Sequence, residues 1–350
     1  MPFKVENIQN LRQRKNEFCR TATVSQLAVR LGVPLAQIEQ MCQNPIYNEF
    51  DIPKKSGKLR HIEDPTEDLK GVLRNLNYYL QATYFFYRTE AAFGFMTVPD
   101  DDKSPRTIKT NAECHINQPW LLNADFLDFF HQIKMLEVFE IFLSPPFSFS
   151  EEIAEILYKL TTYKGRLPMG SPTSPVLSNF STRLLDTDLL NLAAKNNWVY
   201  TRFADDLSFS SKEAITIEHL GQIRSITNLY GLRFNENKIH FFMPHQTKTV
   251  TGLVVTNRVD IPQDYINQLK KEIDKLSTVL EINYRTGRES SAWLERYKHQ
   301  ITGAIEFVRQ IETSQSPDYQ SIKKYYADAQ LNVDNFEAVS WLEFGYHNLL

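Results

Sequence analysis

The residues of this chain best suited to chemistry are two adjacent carboxylates, Asp205 and Asp206, in the run Phe203-Ala-Asp-Asp206. Flanked by Trp198-Val-Tyr-Thr-Arg202 and Leu207-Ser-Phe-Ser210, they stand at the bend between two predicted β-strands, where both side chains can reach one site. Like charges held this close push one carboxyl toward protonation. A divalent cation is the simplest relief. With a third carboxylate from elsewhere in the fold, the group can hold two Mg²⁺ ions about 3.5–4 Å apart and stabilise an in-line phosphoryl displacement. Asp-Asp is also a common polar turn, so the surrounding elements must decide between the two readings.

Trp120-Leu-Leu-Asn-Ala-Asp125 is an apolar run ending in a carboxylate, as expected of a buried strand that delivers Asp125 to a sheet edge. Phe126-Leu-Asp-Phe-Phe130 then turns into an amphipathic helix. Upstream, residues 50–62 read as a basic hairpin turning at Ser56-Gly57, with Lys54, Lys55, Lys58 and Arg60 close together. Leu69, Leu73, Leu76 and Leu80 follow at helical spacing. Ser174-Pro175 supplies an N-cap and a first-turn proline to a helix that turns Leu177, Phe180, Leu184, Leu185, Leu189 and Leu192 to the core. A helix near 213–230 and strands around 239–243 and 249–256 come after the aspartate hairpin. Beyond Pro262 a helix carries Ile266, Leu269, Ile273, Leu276 and Leu280, and a second covers 290–312 through Leu294, Tyr297, Ile301, Ile305 and Val308. At the N-terminus, helices over Thr23–Gly32 and Val33–Cys42 resemble a helix-turn-helix, but the second has no basic residue to meet DNA. A structural cap is the favoured reading.

With 350 residues, 42% hydrophobic and 23% charged, the chain can bury a substantial core. Charges at Lys4, Glu6, Arg12, Arg14, Lys15, Glu17, Arg20 and Arg30 interrupt any signal peptide or membrane-spanning run, so a cytoplasmic location is expected. Cys19, Cys42 and Cys114 form no Cys-x-x-Cys pair, which argues against a zinc site or disulfide framework. The net charge of −3 is not that of a uniformly basic nucleic-acid binder. Binding would then depend on local clusters, the 54–60 hairpin and Lys270, Lys271 and Lys275 on one predicted helix, because neutralised phosphates release counterions locally. Acidic residues dominate the C-terminal end.

Taken together, Ile52-Pro-Lys-Lys-Ser-Gly-Lys-Leu-Arg60, Asn123-Ala-Asp-Phe-Leu-Asp-Phe-Phe130, Leu167-Pro-Met-Gly-Ser-Pro-Thr-Ser-Pro175, Phe203-Ala-Asp-Asp206 and Asn235-Glu-Asn-Lys238 resemble, in order and separation, the motifs of a reverse transcriptase over roughly residues 50–310. Asn111-Ala-Glu-Cys-His115 and Val250-Thr-Gly-Leu253 are similar to elements of the bacterial retron enzymes. The resemblance implies an α+β right-hand polymerase: an N-terminal helical cap (1–45), fingers (46–120), a palm with an antiparallel sheet packed by helices (121–260), and a helical thumb with a C-terminal tail (261–350). It implies an RNA-directed DNA polymerase that copies a cognate noncoding RNA, priming from an internal guanosine 2′-OH to give branched msDNA, and acting with an effector protein in defence against phage.

The same resemblance implies roles for individual residues. Asp125, Asp205 and Asp206, with the Phe126 carbonyl, would hold two Mg²⁺ ions, for which Mn²⁺ can substitute. Lys54, Lys55 and Arg60 would meet the incoming deoxynucleoside triphosphate, although a solvated basic hairpin is the plainer reading. Phe130 would block a ribose 2′-OH, and Met169 and Gly170 would border the nucleotide. Asn111, His115, Val250, Thr251 and Gly252 would contact RNA or its priming end; a satisfied turn, a core histidine and a strand glycine are the alternatives. Lys238 would support the carboxylates or bind phosphate. The chain departs from the family pattern in having Met169 for glutamine, Phe203 for tyrosine beside the primer end, and Ile239 for a hydroxyl residue. Priming from a 3′-OH or a protein hydroxyl, or a noncatalytic RNA-binding scaffold, remain open at this point.

Overall fold

The structure, a computed structural model, describes residues 6–53, 57, 59–286 and 292–331. It divides after Gln246 into two units. In the first, α1 (Ile8–Cys19), α2 (Val24–Leu31) and α3 (Leu35–Gln43) come first. The Thr23 side chain accepts from the Gln26 amide at the start of α2, and the helix ends at Gly32. Leu27, Leu31 and Ile38 join the same core as Leu69, Leu73, Leu76 and Leu80 of α4 (Glu67–Phe85). The helical pair is thus a cap on that core. Between them, β1 (Tyr47–Pro53) and β2 (Leu59–Pro65) pair antiparallel from Tyr47↔Pro65 to Pro53↔Leu59. Lys54, Lys55, Ser56 and Lys58 of that hairpin lie outside the described residues.

Four strands form the antiparallel sheet that carries the aspartates: β3 (Trp120–Asp125), β4 (Val199–Phe203), β5 (Asp206–Ser211) and β6 (His240–Phe242), in the order β4-β5-β3-β6. Its inner position explains the apolar run of β3, in which Leu121, Leu122 and Ala124 are all buried. Tyr200 and Phe209 stack across β4 and β5 with centroids 4.6 Å apart. Around the sheet are α5 (Ile108–Glu113), α6 (Phe129–Gln132), α7 (Met135–Leu143), α8 (Glu151–Thr161), α9 (Ser174–Ser181), α10 (Arg183–Lys195) and α11 (Ile217–Leu229).

Three local expectations need correction. The helix expected from Phe126 is only α6, because Asp128 takes φ 41° and delays the first helical turn to Phe129. The long helix opened by Ser174-Pro175 is two helices, broken at Thr182, whose hydroxyl donates back to the Ser178 carbonyl. The break shifts the helical phase, so Leu184, expected in the core, is 68% exposed while Leu185 and Leu189 are buried. Thr173, not Ser174, is the N-cap position, and the Ser174 hydroxyl donates instead to the Pro168 carbonyl at 2.7 Å.

In the second unit, the run expected as one strand at 249–256 folds back on itself as β7 (Lys248–Val250) and β8 (Leu253–Val255), followed by β9 (Val259–Asp260). The strands thus group with the C-terminal helices, whereas the expected palm–thumb division falls at 260/261. α12 (Gln263–Thr286), α13 (Ala292–Glu312) and α14 (Pro317–Leu331) complete the unit, with Ile266, Leu269, Ile273 and Leu276 facing a core shared with Ile301 and Val308. Within that core the Tyr297 hydroxyl donates to the Glu272 carboxylate at 2.7 Å. Among the described residues no helix is long and apolar enough to cross a membrane.

Candidate active site

Register places the three aspartates at one end of the sheet. Asp125 is the Cα partner of Asp206 across β3 and β5, and Phe203 is the partner of Asp206 across β4 and β5. The two residues between them, Ala204 and Asp205, make the turn, and the Phe126 amide donates to the Asp205 carbonyl at 3.1 Å. A polar surface turn would have left Asp125 uninvolved. Here the third carboxylate meets the pair.

The electrostatics are those of a site short of positive charge. Asp205 is raised above the ordinary carboxylate range by burial and by the charge of Asp125, against which Lys238 and Arg60 act. Asp206, exposed as a residue but with its carboxyl crowded, is pushed up to about 8 by lost hydration, a hydrogen bond with Asp125 and the charge of Asp205. Lys238 Nζ lies 2.7 Å from Asp125 Oδ2. One lysine does not balance three aspartates. The donor set is all oxygen, which suits a hard divalent cation such as Mg²⁺ or Mn²⁺. Phe126 stacks its ring between Phe129 and Phe234, at 5.5 and 5.3 Å, so its side chain is committed to the core and only its backbone is available to an ion.

Among the described residues, the one group of three ligating side chains whose donor atoms all lie within 4.8 Å is a different one, Glu49, His61 and Glu63. Its carboxylates already have cations. Lys164 Nζ bonds both oxygens of Glu49 at 2.7 and 2.8 Å, and Arg166 makes a two-pronged bond to Glu63 at 2.9 Å on each arm. Burial would raise Glu63, but Arg166, His131 and the Met169 amide hold it below its ordinary value. This network was not anticipated from the sequence, and no short spacing marks it, because Glu63 and Arg166 are 103 residues apart.

The network ties β2 to the Leu167–Pro175 loop. The Glu63 amide donates to the Met169 carbonyl at 2.7 Å, and Gly170, at φ 134°, has its missing Cβ position only 2.8 Å from the Glu63 carbonyl. A close approach to β2 requires glycine here. Arg60, earlier on β2, is exposed. Phe130 is half-buried, its ring 5.8 Å from Phe95 and 5.7 Å from Phe129.

Two expected RNA contacts are enclosed instead. Asn111 and His115 are each 1% exposed, and both ring nitrogens of His115 are engaged, Nδ1 with the Ser210 hydroxyl and Nε2 with the Thr201 hydroxyl, each at 2.7 Å. Burial pushes His115 down to about 3, so it is neutral and cross-links β4 and β5. It is the core histidine of the alternative reading. In the second unit, Val250 is buried, whereas Thr251 and Gly252 form the two-residue turn between β7 and β8, both at positive φ. A β-branched residue at φ 48° is an uncommon outlier. Nothing about Thr251 in the sequence signals that geometry.

The family model described as reverse transcriptase (RNA-dependent DNA polymerase) matches residues 52–281. The retron Ec86 reverse transcriptase of Escherichia coli is 30% identical over 254 residues, covering 70% of this chain and 75% of that protein. The retron Ec83 reverse transcriptase of Escherichia coli is 24% identical over 296 residues, 80% of this chain and 90% of that protein. The retron Mx65 reverse transcriptase of Myxococcus xanthus is 26% identical over 292 residues, 77% of this chain and 62% of that protein. A match across the hairpin, the sheet and the aspartate turn together makes this chain a member of the retron reverse transcriptases, RNA-directed DNA polymerases of right-hand fold.

Proposed function

We propose that the enzyme copies a cognate structured noncoding RNA in the cytoplasm, priming from an internal guanosine 2′-OH to yield branched msDNA, and that the product works with an effector protein in defence against phage. The observation that carries this reading is the convergence of Asp125, Asp205 and Asp206 at one sheet end in a chain 30% identical to a retron enzyme over 254 residues. Purified enzyme with its RNA and dNTPs is expected to give a product that a 2′,5′-debranching activity shortens. A product untouched by that activity would overturn 2′-OH priming and leave 3′-OH or protein priming.

In this reading Asp125, Asp205 and Asp206, with the Phe126 carbonyl, would hold two Mg²⁺ ions. When bound, such ions lower the pKa of the attacking hydroxyl and neutralise the triphosphate and departing pyrophosphate. Lys238 offsets the carboxylate charge. Arg60, with Lys54 and Lys55, meets the triphosphate, and Met169 and Gly170 border it. Phe203, lacking a hydroxyl, lies beside the primer end, and the turn of half-buried Thr251 and exposed Gly252 contacts the RNA. Phe130 excludes ribonucleotides. Phe130→Ala is therefore expected to improve rGTP incorporation relative to dGTP by about 10–100-fold, since a positioned side chain is worth about 1–3 kcal/mol of discrimination. Unchanged discrimination in competition assays would remove Phe130 from that role.

The raised aspartates also predict a pH dependence. At neutral pH, Asp206 retains its proton in the folded, metal-free protein and loses it on unfolding, so its stabilising contribution is full below about 4 and is lost as pH rises through about 8. The melting temperature of wild type relative to Asp206→Asn is expected to fall by a few degrees across that window in EDTA. Mg²⁺ should restore more at pH 8 than at pH 5, because cation binding competes with the proton. A wild-type-minus-variant difference that does not change with pH would contradict the crowding of these carboxylates.

A further inference from the structure

We infer that Arg202 is a positioning residue for Asp205, holding the backbone of the turn that carries it. Arg202 and Asp186 are both 0% exposed. Arg202 Nε lies 2.8 Å from Asp186 Oδ1 and Nη2 lies 2.7 Å from Oδ2, while the same carboxylate accepts from the Tyr200 hydroxyl at 3.0 Å and the Thr89 hydroxyl at 2.9 Å. Those contacts fix two arms of the guanidinium. The third, Nη1, donates to the Ala204 carbonyl and to Asn179 Oδ1, each at 3.0 Å.

The carbonyl that receives this bond belongs to the strained residue of the turn. Ala204 has φ 59°, a conformation that a non-glycine residue reaches only at a cost and that persists when its surroundings over-determine it. Its surroundings do so from two sides. Asn179 Nδ2 donates to the Gly94 carbonyl at 2.8 Å, and Gly94 approaches so closely that a Cβ there would lie 2.7 Å from the Ala204 nitrogen. Arg202 is itself anchored through its backbone, its amide donating to Ala91 at 2.7 Å and its carbonyl accepting from Phe93 at 2.9 Å. A rigid base, a saturated ion pair and one free arm therefore end on the peptide that leads into Asp205.

Stability alone does not account for an arginine here, because a buried ion pair is often no better than well-packed apolar residues. Lysine cannot replace it either. A point charge on a flexible stem lacks the planar fork that reaches Asp186 and Ala204 together. The inference rests on Asp205 acting at the reacting centre, as proposed above.

The test is single-nucleotide extension on a primed RNA template with Arg202→Lys, Asn179→Ala and Arg202→Lys/Ala204→Gly, alongside thermal melting. Arg202→Lys is expected to lower kcat about 10–100-fold, the range for residues that orient a metal-site ligand, with little change in the KM for dNTP. Glycine at 204 adopts positive φ unaided, so the double variant should recover much of the lost kcat. Asn179→Ala leaves the ion pair intact and should show the same split in smaller measure, which keeps the idea testable if Arg202→Lys fails to fold. Unchanged kcat in folded Arg202→Lys or in Asn179→Ala, or a loss that follows the folded fraction and ignores Ala204→Gly, overturns the inference. Asp205→Asn included as a control separates the cases: if it stays active, the site reading has failed; if it is dead while Arg202→Lys is fully active, only the positioning role has.

Discussion

Asp205→Asn is expected to reduce deoxynucleotide incorporation by about a thousandfold or more while leaving the fold intact. Divalent cations supply several kcal/mol of charge stabilisation in such displacements, and each 1.36 kcal/mol is a factor of ten in rate. An amide keeps one oxygen and the side-chain shape but loses the charge that would help hold the ions. The structure also predicts the sign of the effect on stability. Asp205 is raised by burial and by Asp125, so its ionised form is unfavourable in the metal-free protein, and the neutral amide should melt at the same temperature or higher in EDTA. The backbone bond from Phe126 to the Asp205 carbonyl is untouched by the change. Extension assays with Mg²⁺ and with Mn²⁺, read beside melts without either, separate the two effects. Activity retained in both metals would remove Asp205 from the reacting centre.

What was legible in the sequence is what depends on neighbours along the chain. The Thr23 cap, the strand ending at Asp125, the hairpin bearing Asp205 and Asp206 and the C-terminal helices all follow from local pattern. That the third carboxylate joins the other two could be expected from motif order, but it is the Asp125↔Asp206 register that brings it there. The failures lie where periodicity and motif type stop carrying information. Apolar spacing continues across Thr182, so nothing in the pattern marks the break between α9 and α10. His115 matches an RNA-contact motif by type, and only the packing of β4 and β5 reveals that both its nitrogens are used inside the sheet. Arg202 reads as an ordinary strand residue beside the aspartates, and Asp186 as a polar interruption of a leucine-rich helix. Neither signals the other across 16 residues. Buried polar partners are chosen by tertiary geometry, and composition carries no trace of them.

Asp186→Ala is the substitution with the largest expected effect on stability, a loss of about 3–5 kcal/mol, because it strands a fully buried guanidinium. Against a typical total of about 5–15 kcal/mol, that is a large share of the stability, and denaturant midpoints will show it. The Tyr200 and Thr89 hydroxyls lose their acceptor in the same change, which adds unsatisfied donors to the unpaired charge. Replacing both partners by apolar residues, as in Asp186→Leu/Arg202→Met, removes the stranded charge and should recover most of the loss. If the pair existed only to stabilise the core, the double variant would also recover polymerase turnover. Because the Arg202 guanidinium donates to the Ala204 carbonyl, the expected outcome is a protein that is again stable yet still slow. Stability and turnover should therefore separate in this one variant, since the methionine fills the volume of the arginine but carries no donor for the peptide before Asp205.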